Sequence, residues 1–156
     1  MFGKNISEEI LAEYPLENYE TPANAYAAII TDAWFAVPAY NVNSALCKKI
    51  PVYAYEFDDQ TAPNYIETSF TQGAAHTYEI PYIFKNFHGS SELSTKLNSS
   101  QEKLSREMIK YWANVSKLPK QKDKNFLRLT LPKVENLSDN EFVKNHHVEF
   151  WNKILN

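Results

Sequence analysis

The sequence predicts an α/β protein, and three observations carry that expectation. Apolar residues recur at three- and four-residue steps behind helix-start signals at Thr21-Pro22, Ser99 and Ser138, as amphipathic helices require. Pro51–Phe57 is rich in β-branched and aromatic residues, and Phe126–Leu131 alternates at period two, so both read as strands. Hydrophobic residues make up 44% of the 156, enough for one domain with a core rather than a disordered chain.

In chain order, Asn5 and Glu8 have the spacing of a capping box, opening a short helix through Tyr14 that Pro15 ends. Thr21 caps a second helix with Pro22 at its first position. Tyr26, Ile29, Ile30, Ala33, Trp34 and Val37 form its apolar stripe, and Pro38 is expected to kink it or be absorbed near a turn, with helix resuming towards Ala45 and Leu46. Pro51–Phe57 has no polar alternation and reads as a strand covered on both faces. Asp58 to Phe70 is a polar loop. A short helix follows through Glu79 to Phe84, with Pro81 confined to its first turn and Glu79 favoured there by the helix dipole. Ser90–Ser99 reads as an exposed serine-rich excursion.

Ser99 and Glu102 form the next capping box, ahead of a helix with Leu104, Met108, Tyr111, Trp112 and Val115 on one stripe. Phe126–Leu131 reads as an edge or half-exposed strand. Ser138 and Glu141 cap a final helix whose apolar face is Phe142, Val143, Phe150, Trp151, Ile154 and Leu155. Neither an internal repeat nor a linker-bounded second domain is visible.

Composition narrows the function classes. The net charge of −3 gives no general attraction to phosphate, and Lys117–Lys124 reads as a solvated connection, so nucleic acid is not expected. Cys47 is the lone cysteine and reads as a buried or half-buried small side chain; no internal disulfide or paired-cysteine metal site follows from it. No stretch is long and apolar enough to span a membrane, and the start lacks an apolar signal-peptide core. Asn-x-Ser sequons at Asn5, Asn98, Asn114 and Asn136 read as chance matches.

Glycine is scarce: Gly3, Gly73 and Gly89 are the only three. Gly73 opens the segment Gly73-x-x-His76-x-x-Glu79-Ile80-Pro81-Tyr82-x-Phe84. Thr31–Pro38 and Val52–Phe57 precede it; Tyr111-Trp112-Ala113-Asn114 and Phe150-Trp151-Asn152 follow. Together, and almost end to end, these segments resemble the C-terminal part of type-B carboxylesterases, the group that includes the cholinesterases.

The resemblance implies part of an α/β-hydrolase fold over 1–156, with few strands, packed helices and an incomplete sheet. In that family the triad runs serine, acid, histidine along the chain, and only the histidine maps here, onto His76. No Gly-x-Ser-x-Gly elbow occurs. The resemblance therefore implies a C-terminal fragment of an enzyme that hydrolyses carboxylic esters through an acyl-serine intermediate, without metal or cofactor. Alone it is expected to be inactive, and its expected partners are the ester substrate and an N-terminal esterase half carrying serine, oxyanion loop and acid. The alternative is a non-enzymatic binding module retaining the scaffold. Where exported members pair two cysteines, Val37 and Val148 stand here, as in a disulfide-free member, which favours the cytoplasm.

His76 would act as a general base, since an imidazole titrates near neutrality. Ser69, Ser90 and Ser91, with His88, Asp58, Asp59 and Glu79, do not read as an improvised triad, for none sits in a strained turn facing oxyanion donors. His146-His147 on the last helix reads as a solvated pair rather than a metal site. Tyr53, Tyr55, Tyr78 and Tyr82 read as core packing rather than a substrate wall. The shortage of strands implies an open sheet edge and exposed apolar surface.

Overall fold

The computed structural model describes residues 4–64, 66–85, 87, 96–115 and 126–155. Helix α1 (Lys4–Glu13) and a 3-10 turn (Leu16–Asn18) lead into α2 (Pro22–Thr31), a π-helical segment (Asp32–Ala36) and α3 (Val37–Leu46), which follow without a break. Strand β1 (Ala54–Phe57) is followed by α4 (Ile80–Ile83) and α5 (Ser99–Ala113). Strands β2 (Phe126–Leu129) and β3 (Glu135–Leu137) precede α6 (Asp139–Asn145) and α7 (Val148–Leu155). The α/β class predicted from the sequence is what the chain forms.

The sheet order is β1-β2-β3, with β1 parallel and β3 antiparallel to β2. A parallel pair needs a long crossover, here the chain through α4 and α5. Side chains alternate across the sheet. Ala54 and Phe126 face a core of Ile10, Tyr14, Ala33, Val37, Phe142, Val148 and Trp151. Phe57, Leu127 and Leu129 face the other core, with Tyr78, Tyr82, Leu104 and Met108. Helices thus cover both faces.

Several sequence expectations are corrected. Phe126–Leu129 is the central strand, not an edge. Its polar positions hide from water because Arg128 is satisfied by Glu56 at 3.5 Å and Asp58 at 3.4 Å. Alternation therefore marks two differently filled faces, not one wet face. β3, too short for a pattern, escaped the sequence reading. β1 is covered as expected, except that Tyr55 is half-exposed beside Trp112 because β1 is the edge strand. Among the described residues no strand pairs with its outer edge.

Of the two expectations for Pro38, a kink or absorption near a turn, the long second helix takes the second, widening just ahead of the proline. Proline has no N–H for an i→i−4 bond and its ring crowds the preceding turn. The π turn loosens the helix just ahead of it, with the Val37 N–H bonded to the Asp32 carbonyl. The face turned inward is Ala25, Asp32, Ala33 and Val37, whereas Tyr26 and Trp34 point out. Small inward residues bring this helix close to the core, and the large rings are left outside.

Thr21 caps α2 as expected, its side chain accepting from the Asn24 N–H. Ser138 and Glu141 form the expected capping box. The box ahead of α5 is Asn98 with Gln101, one residue earlier than Ser99 and Glu102, because the asparagine carbonyl reaches two N–H groups. On α5 Leu104 and Met108 are buried, but Val115 lies past the helix end and is exposed. The Asn5 side chain lies outside the described residues, as do most of the Ser90–Ser99 excursion and the Lys117–Lys124 run; α1 opens at Lys4. Cys47 is half-buried, its Sγ 3.6 Å from the Ser44 carbonyl. Val37 and Val148 are both buried in one core.

Candidate active site

His76 is exposed, on a loop anchored at both ends. At its entry, buried Asp59 accepts from the Thr61 N–H (2.9 Å) and hydroxyl (2.7 Å), an Asx-type turn. At its exit the Tyr82 hydroxyl donates to the same carboxylate at 2.5 Å. Helix α5 holds both ends: Gln101 Nε2 donates to the Thr61 carbonyl at 2.7 Å, and the Ser105 hydroxyl to the Tyr82 carbonyl at 2.6 Å. Asp59 was visible in the sequence only as a loose carboxylate. The Asp-x-Thr spacing was the signal for its turn, but nothing local pointed to Tyr82.

The turn at the tip uses left-handed backbone at Gly73 (φ 60) and Thr77 (φ 74). Backbone bonds from Tyr78 to Ala75 (3.0 Å) and Ile80 to Thr77 (3.1 Å) close it. A side chain at Gly73 would be strained at this φ and would meet the Gln60 amide. Gly73→Ala is therefore expected to cost about 1–2 kcal/mol, read as a lowered denaturation midpoint; an unchanged midpoint would mean that the left-handed turn is not required.

The His76 ring stacks on Phe35, with centroids 6.3 Å apart and planes at 26°. Among the described residues no hydrogen bond or ion pair reaches its imidazole. Phe35 comes from the π turn, and Asn24 Nδ2 donates to the Thr71 carbonyl at 2.8 Å, so the α2 side of the molecule flanks the loop. Tyr26, Ile30 and Trp34 lie at four-residue steps along that helix, Tyr26 and Trp34 exposed. Among the described residues no improvised triad forms, since Ser69 is exposed and shares no hydrogen bond with His76; Ser90, Ser91 and His88 lie outside the described residues. Glu79 immediately precedes α4 and makes no side-chain cap. Tyr78 and Tyr82 are core residues as expected, but Tyr55 is half-exposed.

The carboxylesterase family model matches residues 2–151. The chain belongs to the carboxylesterase family. It is 29% identical over 168 residues to the cocaine esterase of Homo sapiens, an alignment covering 99% of this chain and 28% of that protein. It is 30% identical over 165 residues to an acylcarnitine hydrolase of Rattus norvegicus, covering 94% and 28%. To carboxylesterase 4A of Bos taurus it is 40% identical over 94 residues, covering 52% and 16%. This carboxylesterase-family chain thus spans under a third of the length of these curated relatives.

The second polar cluster of this family member lies around His146, and it overturns the reading of a solvated pair. His146 and His147 do not extend one helix; they form the turn between α6 and α7, His147 in left-handed backbone (φ 48). His146 Nδ1 is 2.7 Å from Asp32 Oδ1 and its Nε2 is 2.9 Å from Glu56 Oε1. His147 Nδ1 is 2.7 Å from Glu13 Oε1. Burial pushes the His146 pKa down, but hydrogen bonds to both carboxylates outweigh it and hold the imidazolium up at about 9. Glu56 is likewise pushed up by burial, yet ends below its ordinary value because His146 and Arg128 favour its charge. Among the described residues no group of three or more His, Cys, Asp or Glu side chains is placed to hold a metal ion. None of their helices is long and apolar enough to cross a membrane.

Proposed function

We propose that this chain contributes the general base of a serine carboxylesterase, with His76 taking the proton of a serine hydroxyl that lies outside these residues. The observation that carries the reading is an exposed imidazole on an anchored loop, with no hydrogen-bond partner among the described residues. A base that must meet a serine and an orienting carboxylate needs both ring nitrogens available. Further support comes from the missing Gly-x-Ser-x-Gly elbow, the outer edge of β1, with which no strand pairs among the described residues, and the exposed Phe35 ring beside His76. The substrate class is the carboxylic ester: the serine oxygen bonds to the ester carbonyl carbon, His76 receives the serine proton, and it returns that proton to the departing alcohol.

An aryl ester assay tests this. The chain alone is expected to release no phenol above background, and the chain joined to the upstream portion of a carboxylesterase is expected to hydrolyse the ester. Turnover by the isolated chain that His76→Ala abolishes, or a folded joined protein that leaves the ester intact, would sink the reading.

A further inference from the structure

The His146 cluster lies outside the esterase reading and does not depend on it. We propose that His146 is a proton-operated clasp: as an imidazolium it ties the turn between α6 and α7 to the π turn at Asp32 and to β1 at Glu56, and loss of its proton releases the α6–α7 pair from the sheet.

The geometry joins three elements far apart in sequence through one ring with 13% of its side chain exposed. Asp32 comes from the widened turn ahead of Pro38, Glu56 from the edge strand, and the ring from the only break in the C-terminal helical segment. Asp32 and Glu56 favour the imidazolium, whereas Arg128 shares Glu56 with it. Behind Glu56 stand Arg128 of β2 and Asp58, both within ion-pair distance of one another. Behind Asp32 the Tyr14 hydroxyl donates to Oδ2 at 2.7 Å and itself accepts from Trp151 Nε1 of α7 at 2.6 Å; Tyr19 feels the same carboxylate. From α6 the Phe142 ring packs on His146 with centroids 4.4 Å apart. The adjoining His147 faces Glu13 of α1.

Protonated, His146 and Arg128 face the three carboxylates Asp32, Glu56 and Asp58. Deprotonated, the ring has one N–H for two acceptors, so one carboxylate oxygen loses its donor and the cluster loses a positive charge, with Tyr14 still donating to Asp32 and Arg128 to Glu56. The Tyr14 hydroxyl, kept protonated well above the ordinary tyrosine range by burial and its bond to Asp32, still donates to Oδ2 but does not replace the bond lost at Oδ1. A pKa raised on folding from 6.5 to about 9 gives a contribution fully present below about pH 6.5 and lost as pH rises through about 9.

The test is an NMR titration of the 15N-labelled full chain between pH 6 and 10. The His146 imidazole is expected to titrate with a midpoint near 9, and the Trp151 indole N–H to shift with it while those of Trp34 and Trp112 stay put. A midpoint near 6.5, or a Trp151 signal indifferent to the titration, overturns the clasp. In parallel, the melting temperature of the wild type is expected to fall over the upper half of that range towards that of His146→Gln, whose own curve stays flat. Parallel curves overturn the proposal, and should the variant not fold, the wild-type titration still decides.

Discussion

In a carboxylesterase assembled around this chain, His76→Ala is expected to lower kcat/KM for an aryl ester by about 10⁴- to 10⁶-fold. The serine hydroxyl is a poor nucleophile until a base takes its proton as the carbonyl is attacked, and the same group must reprotonate the leaving alcohol. Removing the ring removes both transfers but leaves whatever oxyanion donors the upstream portion supplies, so a residual rate above that in water is expected. The loop should survive the change, because it is held by Asp59, Tyr82, Gln101 and Ser105 rather than by His76. The assay is run at saturating and limiting ester. Loss in kcat with little change in KM is expected if the imidazole acts on the reacting hydroxyl, as proposed, rather than on ground-state binding. A variant that keeps more than about a tenth of the rate would place the base elsewhere.

Trp151→Ala is expected to be the most damaging single change to stability, at about 3–5 kcal/mol. The indole is fully buried in the core on the α6–α7 side of the sheet, beside Tyr14 and Phe150. Its removal deletes a large apolar contact, leaves a cavity, and takes away the donor that the Tyr14 hydroxyl accepts. Domains of this kind have about 5–15 kcal/mol to lose, so a drop in melting temperature on the order of 10 °C is expected. Trp34, 52% exposed on the outer side of the π turn, is the matched control. Trp34→Ala is expected to stay within about 0.5 kcal/mol of the parent. Equal losses for the two tryptophans would contradict the core described above.

The local rules were legible wherever a residue's chemistry acts within one turn of chain. Thr21-Pro22 and Ser138-x-x-Glu141 start helices because their side chains satisfy N–H groups that no upstream carbonyl can reach. Pro81 stays in a first turn because an N–H there would have no upstream carbonyl and proline lacks one. Reading failed where the determinant is distant. Asp32 sits on a helix face that periodicity assigns to apolar residues, and it is inward because His146 and Tyr14 meet it there. The apolar period through the C-terminal segment suggested one helix, yet His147 turns left-handed between two, where the ring of His146 can reach both carboxylates.

The chain's own order of residues established the family, the histidine on its glycine-led loop, and most helix starts, because caps, proline and motif spacing are written within a few positions. It also placed two strands. Which strand is central, what hides Arg128 from water, and why a histidine pair that looked solvated is clamped between acids came from the assembled molecule. Those features depend on side chains brought together from positions such as 32, 56, 128 and 146, and pairings of that range leave no periodic trace in a single sequence.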